Sequence, residues 1–535
     1  MAAQLNQTEE KLFAAIKGMD AKQGFDVVIV CTSDQTQEDY WQPRLEATRG
    51  QAAREGAVVL AVHEDWPGGA GNGLGTLYAY QKARDKAKAQ GLDLDERLAK
   101  GDSVALFHTA GKGTRLAPLP GSETNNKPAA KLASLVTIGD KTVELSLLEA
   151  VIRQTGFYAE GRKGRCSVFW GDQVFIPSNG AQPSGKYHAD ILANLGPMPT
   201  AEEWAARNMN TYGLIAVRPS GEAVQVEKVS HEQAVKLFGG ADSVEAVGPS
   251  LGSFSVGAAM LQSLLAEFAP ELAAKEGKMD ADPHFWMPLT LNMDDYVSVM
   301  TTKGDSVEKA QGHFNRMDKF KQALTAANPG MGMFGCVDVG STCYWWDYGQ
   351  LAFFYNNNMT MVKDSVEASA IRTFMGVEGS KQQRSALGST AVCGASIALN
   401  CAIGAGSAKG SVLSSVRAES VEVEDSVLIN VTARRIKCKG CVLYNVLDDS
   451  PEGLDLPDGS VRADVHQASA DAAPLIMKST LTTDGGKKWF EKLEGNPASF
   501  DDVHKLNQTI DVRQAQAEMA RAHNAFAATL TLPTA

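Results

Sequence analysis

Val104 to Leu132 reads VALFHTAGKGTRLAPLPGSETNNKPAAKL. Four apolar residues, Val104 to Phe107, predict a short buried strand. They run into a small-residue loop, Thr109-Ala110-Gly111-Lys112-Gly113-Thr114-Arg115. Glycines let a backbone approach a polyphosphate closely, and successive loop N–H groups can form an anion nest. Arg115 adds a planar fork of donors suited to phosphate oxygens. Lys127 follows a turn-rich segment and supplies a second cation.

The stretches on either side repeat the same grammar. Asp26 to Thr32 (DVVIVCT) is a β-branched run of the kind buried in parallel sheets, and a helical stretch follows through Arg54. Ala57 to Val62 (AVVLAV) is a second strand, leading through Glu64 into a glycine-rich loop, Gly68 to Thr76. Helical sequence then resumes. Alternation of this kind predicts an α/β fold with a doubly wound mixed sheet, whose ligands bind at the carboxyl ends of the strands. Leu145 to Gln154 has helical spacing, and Cys166 to Phe175 is a strand interrupted by Gly171-Asp172. Tyr212 to Lys228 reads as a hairpin around Pro219-Ser220-Gly221.

Composition narrows the class. At 535 residues the chain exceeds one compact domain. Its net charge of −12 argues against general nucleic-acid binding, although a phosphate pocket needs only two or three placed cations. No run of some 18 apolar residues is present, so no membrane span is expected. The N-terminal segment lacks a signal-peptide core and reads as an amphipathic helix. Eight scattered cysteines suggest a reducing compartment. The expected location is the cytoplasm, or a plastid if the chain is a mature form. Cys438-Lys-Gly-Cys441 lacks a second pair or a His cluster and is read as packing rather than as a zinc site. Asp282 and His284, two groups without a third partner, are read as a structural network.

Taken together, the strand, the glycine loop, Thr114-Arg115 and Lys127-Pro128 resemble the G-x-G-T-R-L-x-P-L…K-P signature of the sugar-1-phosphate nucleotidyltransferases, the nucleotide-sugar pyrophosphorylases. The glycine-rich stretch ending at Thr76 resembles that family's second nucleotide loop, but here it precedes the phosphate loop. That order is similar to the GDP-fucose pyrophosphorylase-like members. The resemblance implies a Rossmann-like nucleotidyltransferase domain and transfer of a nucleoside monophosphate from a nucleoside triphosphate to a sugar 1-phosphate. Arg115 and Lys127 would then be catalytic. Ala110, Gly111, Lys112, Gly113 and Thr114, with Gly73, Gly75 and Thr76, would bind the nucleotide, so the two glycine stretches should lie side by side. Gly213, Glu227 and Lys228 match the hairpin that faces the sugar phosphate, with Val229 where the family has proline. Asp172 would hold Mg²⁺. Its partner would be Asp347, in Tyr344 to Met359 (YWWDYGQLAFFYNNNM), with Asp338 as a rival. Competing readings are a catalytically silent binding protein and transfer to a non-sugar phosphate.

Beyond Leu387 small and β-branched residues dominate, and apolar residues return at five- to six-residue intervals. That pattern predicts a parallel β-helix or solenoid. The resemblance implies a small left-handed one. The expected divisions are therefore residues 1–380 for the nucleotidyltransferase domain, 381–448 for the β-helix and 449–535 for a linker and helical tail. The coil or the terminal helix, Val512 to Leu530, would be the route to a homo-oligomer. No histidine lies between His313 and His466, unlike the acyltransferases built on such coils.

Overall fold

The computed structural model describes residues 5–19, 23–109, 111–180, 185–393, 395–469 and 472–534. The alternation read from the sequence forms a mixed α/β architecture. Val27–Thr32 is β1, Gln35–Ala47 is α1, Val58–His63 is β2, Gly71–Ala89 is α2 and Val104–His108 is β3. Arg165–Trp170 is β4, and Gln173–Ile176 is β5. Next come β6 (Tyr187–Ala193), β7 (Gly213–Val217), β8 (Ala223–Glu227), β9 (Ala246–Gly257), β10 (Gly332–Asp338) and β11 (Tyr344–Asp347).

The main sheet runs β8-β7-β9-β4-β3-β1-β2, and β6 joins β9 to β10. Strands β2, β1, β3 and β4 are mutually parallel, while β9 is antiparallel to β4. Period-two alternation explains why β1 is apolar throughout. Val28 and Val30 enter one core with Phe107 and Phe169, whereas Val27, Ile29 and Cys31 enter another with Leu106 and Val168. The carboxyl ends of β1 to β4 therefore converge on one rim. The separate pair β5–β11 places Asp347 opposite Gln173, next to that rim.

The glycine stretch is shorter as a loop than its sequence suggests, because α2 already begins at Gly71. Its first turn is fixed by Met279 to Ala281. The Gly73 N–H donates to the Met279 carbonyl at 2.8 Å, and a Cβ at Gly71 would stand 2.5 Å from that oxygen. These glycines serve close approach between two chain segments, which outweighs their low helix propensity.

The C-terminal half forms a parallel coil. Its main strands are β12 (Val412–Glu424), β13 (Val427–Lys439), β14 (Val442–Tyr444) and β15 (Ser460–Val465). Val412 pairs with Val427, and Val427 with Val442, a repeat of 15 residues. The small and polar residues between the apolar ones are corners. Asn400, Ser415, Asn430 and Asn445 all have φ between 50° and 56°, a left-handed conformation that Asn tolerates better than most residues. A second ladder runs from Ser396 Oγ to the Ser411 N–H, from Ser411 Oγ to Ser426, and from Ser426 Oγ to Cys441, all within 3.1 Å. Cys441 is thus a rung of that ladder, and both thiols of the C-x-x-C are buried in the coil. The coil does not stop at 448: β15 pairs in parallel with β14 after the acidic loop of residues 449–459.

One face of the coil, including Val412, Val427, Ile429, Val442 and Tyr444, belongs to the same core as Leu132 and Phe354. Residues 500–507 form α3 (Phe500–Asn507), and the terminal helix α4 (Val512–Ala527) packs on the coil and on α1. His523 meets Thr432 at 2.9 Å, and Gln516 donates to Glu123 at 2.8 Å. One flank of α4 is therefore used within the chain. Among the described residues no helix is long and apolar enough to cross a membrane.

Buried polar contacts lock the coil to the phosphate-loop region. The Tyr444 hydroxyl donates to Glu123 at 2.6 Å and accepts from the Lys131 N–H at 2.7 Å. Glu123 is fully buried and also meets Lys131 Nζ. Tyr444→Phe leaves the aromatic packing intact and strands a buried carboxylate oxygen and a buried N–H. It is expected to cost about 1.5–3 kcal/mol, the scale of a hydrogen bond to a charged group, read as a lower midpoint in urea at unchanged slope.

Candidate active site

A cleft of about 620 Å³ opens at the carboxyl ends of β1 to β4. Gly69, Gly71 and Asn72 line one wall, and His108, Thr109 and Gly111 another. Lys127, Gly171 and Asp172 lie on its floor, while Lys278 and Asp280 close the far side. Both glycine-rich stretches thus border one cavity, as expected from the sequence. They touch through Thr76 and His108, whose Oγ1 and Nε2 are 2.8 Å apart. Burial lowers the His108 pKa to about 4, so the ring is neutral near pH 7. Thr76 Oγ1 donates to the Asn72 carbonyl, so His108 Nε2 carries the proton toward Thr76 and leaves Nδ1 an acceptor.

The phosphate loop owes its shape to two glycines with different tasks. Gly111 has φ of 125° with open space around it, so its backbone faces the cleft unobstructed. Gly113 has φ of 63°, and a Cβ there would lie 2.9 Å from Lys127 Cδ. Its missing side chain is what lets the Lys127 stem cross the loop. The Lys127 ammonium then reaches Asp172 Oδ2 at 2.5 Å.

Asp172 follows β4 directly, and its carbonyl accepts the Tyr348 N–H at 3.0 Å. That pairing brings Asp347 alongside. A Cβ at Gly349 would stand 3.0 Å from both Asp172 Oδ2 and Asp347 Oδ1, so these oxygens are no more than about 6 Å apart. Burial raises the Asp347 pKa above the ordinary carboxylate value. The Gly349 N–H, donating at 2.6 Å, opposes the rise, the Asp172 charge adds to it, and Arg115 and Lys127 oppose it. Asp338 is engaged elsewhere: its oxygens accept from Asn179, Leu195 and Gly340 at 2.8–3.1 Å. Among the described residues no cluster of three or more His, Cys, Asp or Glu side chains could hold a metal. Two hard carboxylates still suit a cation such as Mg²⁺, which keeps waters and takes further oxygens from substrate phosphates.

The remaining sequence-derived residues distribute less evenly. Ala110 lies outside the described residues. Gly73, Gly75 and Thr76 form the first turns of α2, behind the cleft wall. Lys112 turns away, its ammonium 3.6 Å from Asp501 and 5.8 Å over the Trp489 ring. Thr114 and Arg115 form a short turn at the mouth, with Arg115 exposed. Gly213 and Glu227 pair across β7 and β8. Glu227 and Lys228 line a different cavity, of about 160 Å³, where Glu227 is paired to Lys303 and lies 3.2 Å from Lys228. Asp282 sits between that cavity and the main cleft, against Gly213. Burial, then Glu227 and Asp280, raise its pKa to about 7. His284 bonds to the Asp280 backbone and stacks on His313, as befits a structural network. Glu64, Asn72, Trp170, Gln173, Lys278 and Asp280 also line the cleft, and sequence reasoning did not single them out. Of these, only Glu64 carried a usable signal, as a carboxylate just after β2.

No protein-family model matches the chain, and no curated protein matches it in sequence.

The raised Asp347 pKa has a consequence for stability. Its neutral form favours the fold below the unfolded value, near pH 3.9, and that contribution is lost as pH rises through the raised folded value. Ionised Asp347 is therefore a net cost at pH 7. Asp347→Asn keeps the acceptor for Gly349 and is expected to melt higher than the wild type at pH 7 in chelator-treated buffer. The difference should vanish below about pH 4, as followed by thermal denaturation across that range.

Proposed function

We propose that the protein is a sugar-1-phosphate nucleotidyltransferase, transferring a nucleoside monophosphate from a triphosphate to a sugar 1-phosphate with release of pyrophosphate. The observation that carries this reading is the convergence of Arg115, Lys127, Asp172 and Asp347 on a cleft bordered by both glycine stretches. The parallel half-sheet supports a Rossmann-like nucleotidyltransferase domain, and the 15-residue coil is compatible with the small left-handed β-helix that accompanies such domains.

A sugar 1-phosphate is already anionic, so its attack on the α-phosphorus needs no general base. The demands are approach, in-line alignment and charge neutralisation. The open backbone at Gly111 would cradle the triphosphate. Arg115, at the mouth, would meet the β- and γ-phosphates that leave as pyrophosphate. Lys127 would stabilise charge at the α-phosphate. Asp172 and Asp347 would hold Mg²⁺, which when bound neutralises phosphate charge and orients its oxygens. Asp280 and Lys278 face the phosphate loop across the cleft and are the nearest candidates for contacts to the acceptor sugar, with Glu227 and Lys228 more remote.

The test is a matrix of four nucleoside triphosphates against a panel of sugar 1-phosphates with Mg²⁺, scored by pyrophosphate release. One pair should turn over well above the rest. Arg115→Ala and Asp172→Ala should each lower kcat by at least ~10²-fold, the scale of lost transition-state charge stabilisation. Triphosphate binding by thermal shift without release of pyrophosphate from any pair would favour a silent binding protein instead.

A further inference from the structure

The segment after the coil lies on the phosphate loop. Asp484 to Lys488 form a turn in which Asp484 Oδ1 accepts from the Gly486 and Lys487 N–H groups at 3.0 and 3.1 Å. A Cβ at Gly485 would stand 2.3 Å from the Thr114 carbonyl oxygen and 3.1 Å from Ala117 Cβ. One at Gly486 would lie 3.5 Å from Thr114 Oγ1 and 3.8 Å from Arg115 Cγ. Neither residue has a left-handed φ. Gly485 is therefore required by the closeness of Thr114 and not by its own backbone conformation.

Contacts continue along the loop. Ala117 shares a small core with Met477, Trp489, Phe500 and Val503. The Asn125 amide donates to the His504 carbonyl at 2.7 Å, and the Asn507 amide donates to the Gly121 carbonyl at 2.7 Å. Asp501, buried and bonded to Trp489 Nε1 at 2.8 Å, faces Lys112. Every part of the loop from Lys112 to Asn125 thus meets a residue more than 300 positions later in the chain.

We propose that residues 484–507 are a positioning segment of the triphosphate site: they hold Lys112 to Asn125 in the shape that presents Arg115 to the phosphates. The proposal rests on reading the cleft as a triphosphate site. None of these residues touches the reacting atoms, so their effect passes through Thr114 and Arg115. A misplacement of about 1 Å at such a cation is enough to cost a large part of the rate.

The test compares Gly485→Ala with Gly379→Ala, a matched change at a glycine with nothing within 4 Å and no left-handed φ. Asn507→Ala serves as a second probe should Gly485→Ala fail to fold. Amide hydrogen exchange in the full-length protein is read on residues 111–122, and turnover is read with the best substrate pair. Gly485→Ala should exchange at least ~5-fold faster in that segment and lose at least ~10-fold in kcat, with KM for the sugar phosphate little changed. Gly379→Ala should match the wild type in both. Addition of Mg²⁺ and triphosphate to the wild type should slow exchange in residues 484–489 as well as in the loop. Unaltered exchange of residues 111–122 in Gly485→Ala, or in Asn507→Ala where that stands in, overturns the proposal. If the wild type releases no pyrophosphate from any pair, the triphosphate reading fails on its own, and the exchange comparison still decides whether the segment holds the loop.

Discussion

Two carboxylates of like charge have to be kept together at the floor of the cleft. At about 6 Å and an effective dielectric constant of 20, the repulsion of Asp172 and Asp347 is roughly 3 kcal/mol when both are ionised. The surroundings offset it by placement. Lys127 reaches Asp172 only because Gly113 leaves room for its stem, and the Gly349 N–H caps Asp347. The β5–β11 pair sets the spacing of the two groups by backbone hydrogen bonding. A divalent cation between them would turn the repulsion into affinity, the usual way in which a site of poor intrinsic stability becomes a good binding site.

That constraint explains why this part of the molecule was readable in the sequence. A carboxylate directly after a buried strand, a lysine beside a proline and glycines in a fixed local pattern are short-range features, and each is needed where it stands. Asp172, Asp347, Lys127 and Gly111 were legible for that reason. The choice of Asp347 over Asp338 rested on a weak aromatic pattern and gains support from the hydrogen bonds that occupy Asp338. The coil was legible only as a tendency, since its corners accept Asn, Ser, Asp or Gly with little preference and so blur the 15-residue repeat.

What stayed hidden depends on contacts between distant segments. The start of α2 at Gly71 is decided by Met279, more than 200 residues away, and no local signal distinguishes a glycine that faces a phosphate from one that faces a carbonyl. Sequence reasoning gave Gly73, Gly75 and Thr76 to the nucleotide, yet the fold sets them behind the wall that Gly69, Gly71 and Asn72 form. The hairpin carrying Glu227 and Lys228 was recognised correctly as a hairpin, but its orientation toward a second cavity follows from its packing against residues 295–303. The C-terminal tail had no distinguishing composition at all.

The phosphate loop explains why such a tail is useful. Between Gly111 and Lys127 the chain contains only two turns of three or four residues, so little regular hydrogen bonding holds it. A loop of that kind, left to itself, samples many backbone conformations at a cost of about 1–2 kcal/mol for each residue that must be ordered. Glycines at 111 and 113 enlarge the cost while meeting the need for close approach. Support from outside removes the conflict: the loop can remain glycine-rich and irregular because Glu123 is anchored by the coil, Gly121 and Asn125 by α3, and Thr114 by Gly485. The coil and tail therefore have a reason to be continuous with the cleft-bearing half of the chain, whatever chemistry the coil itself lacks.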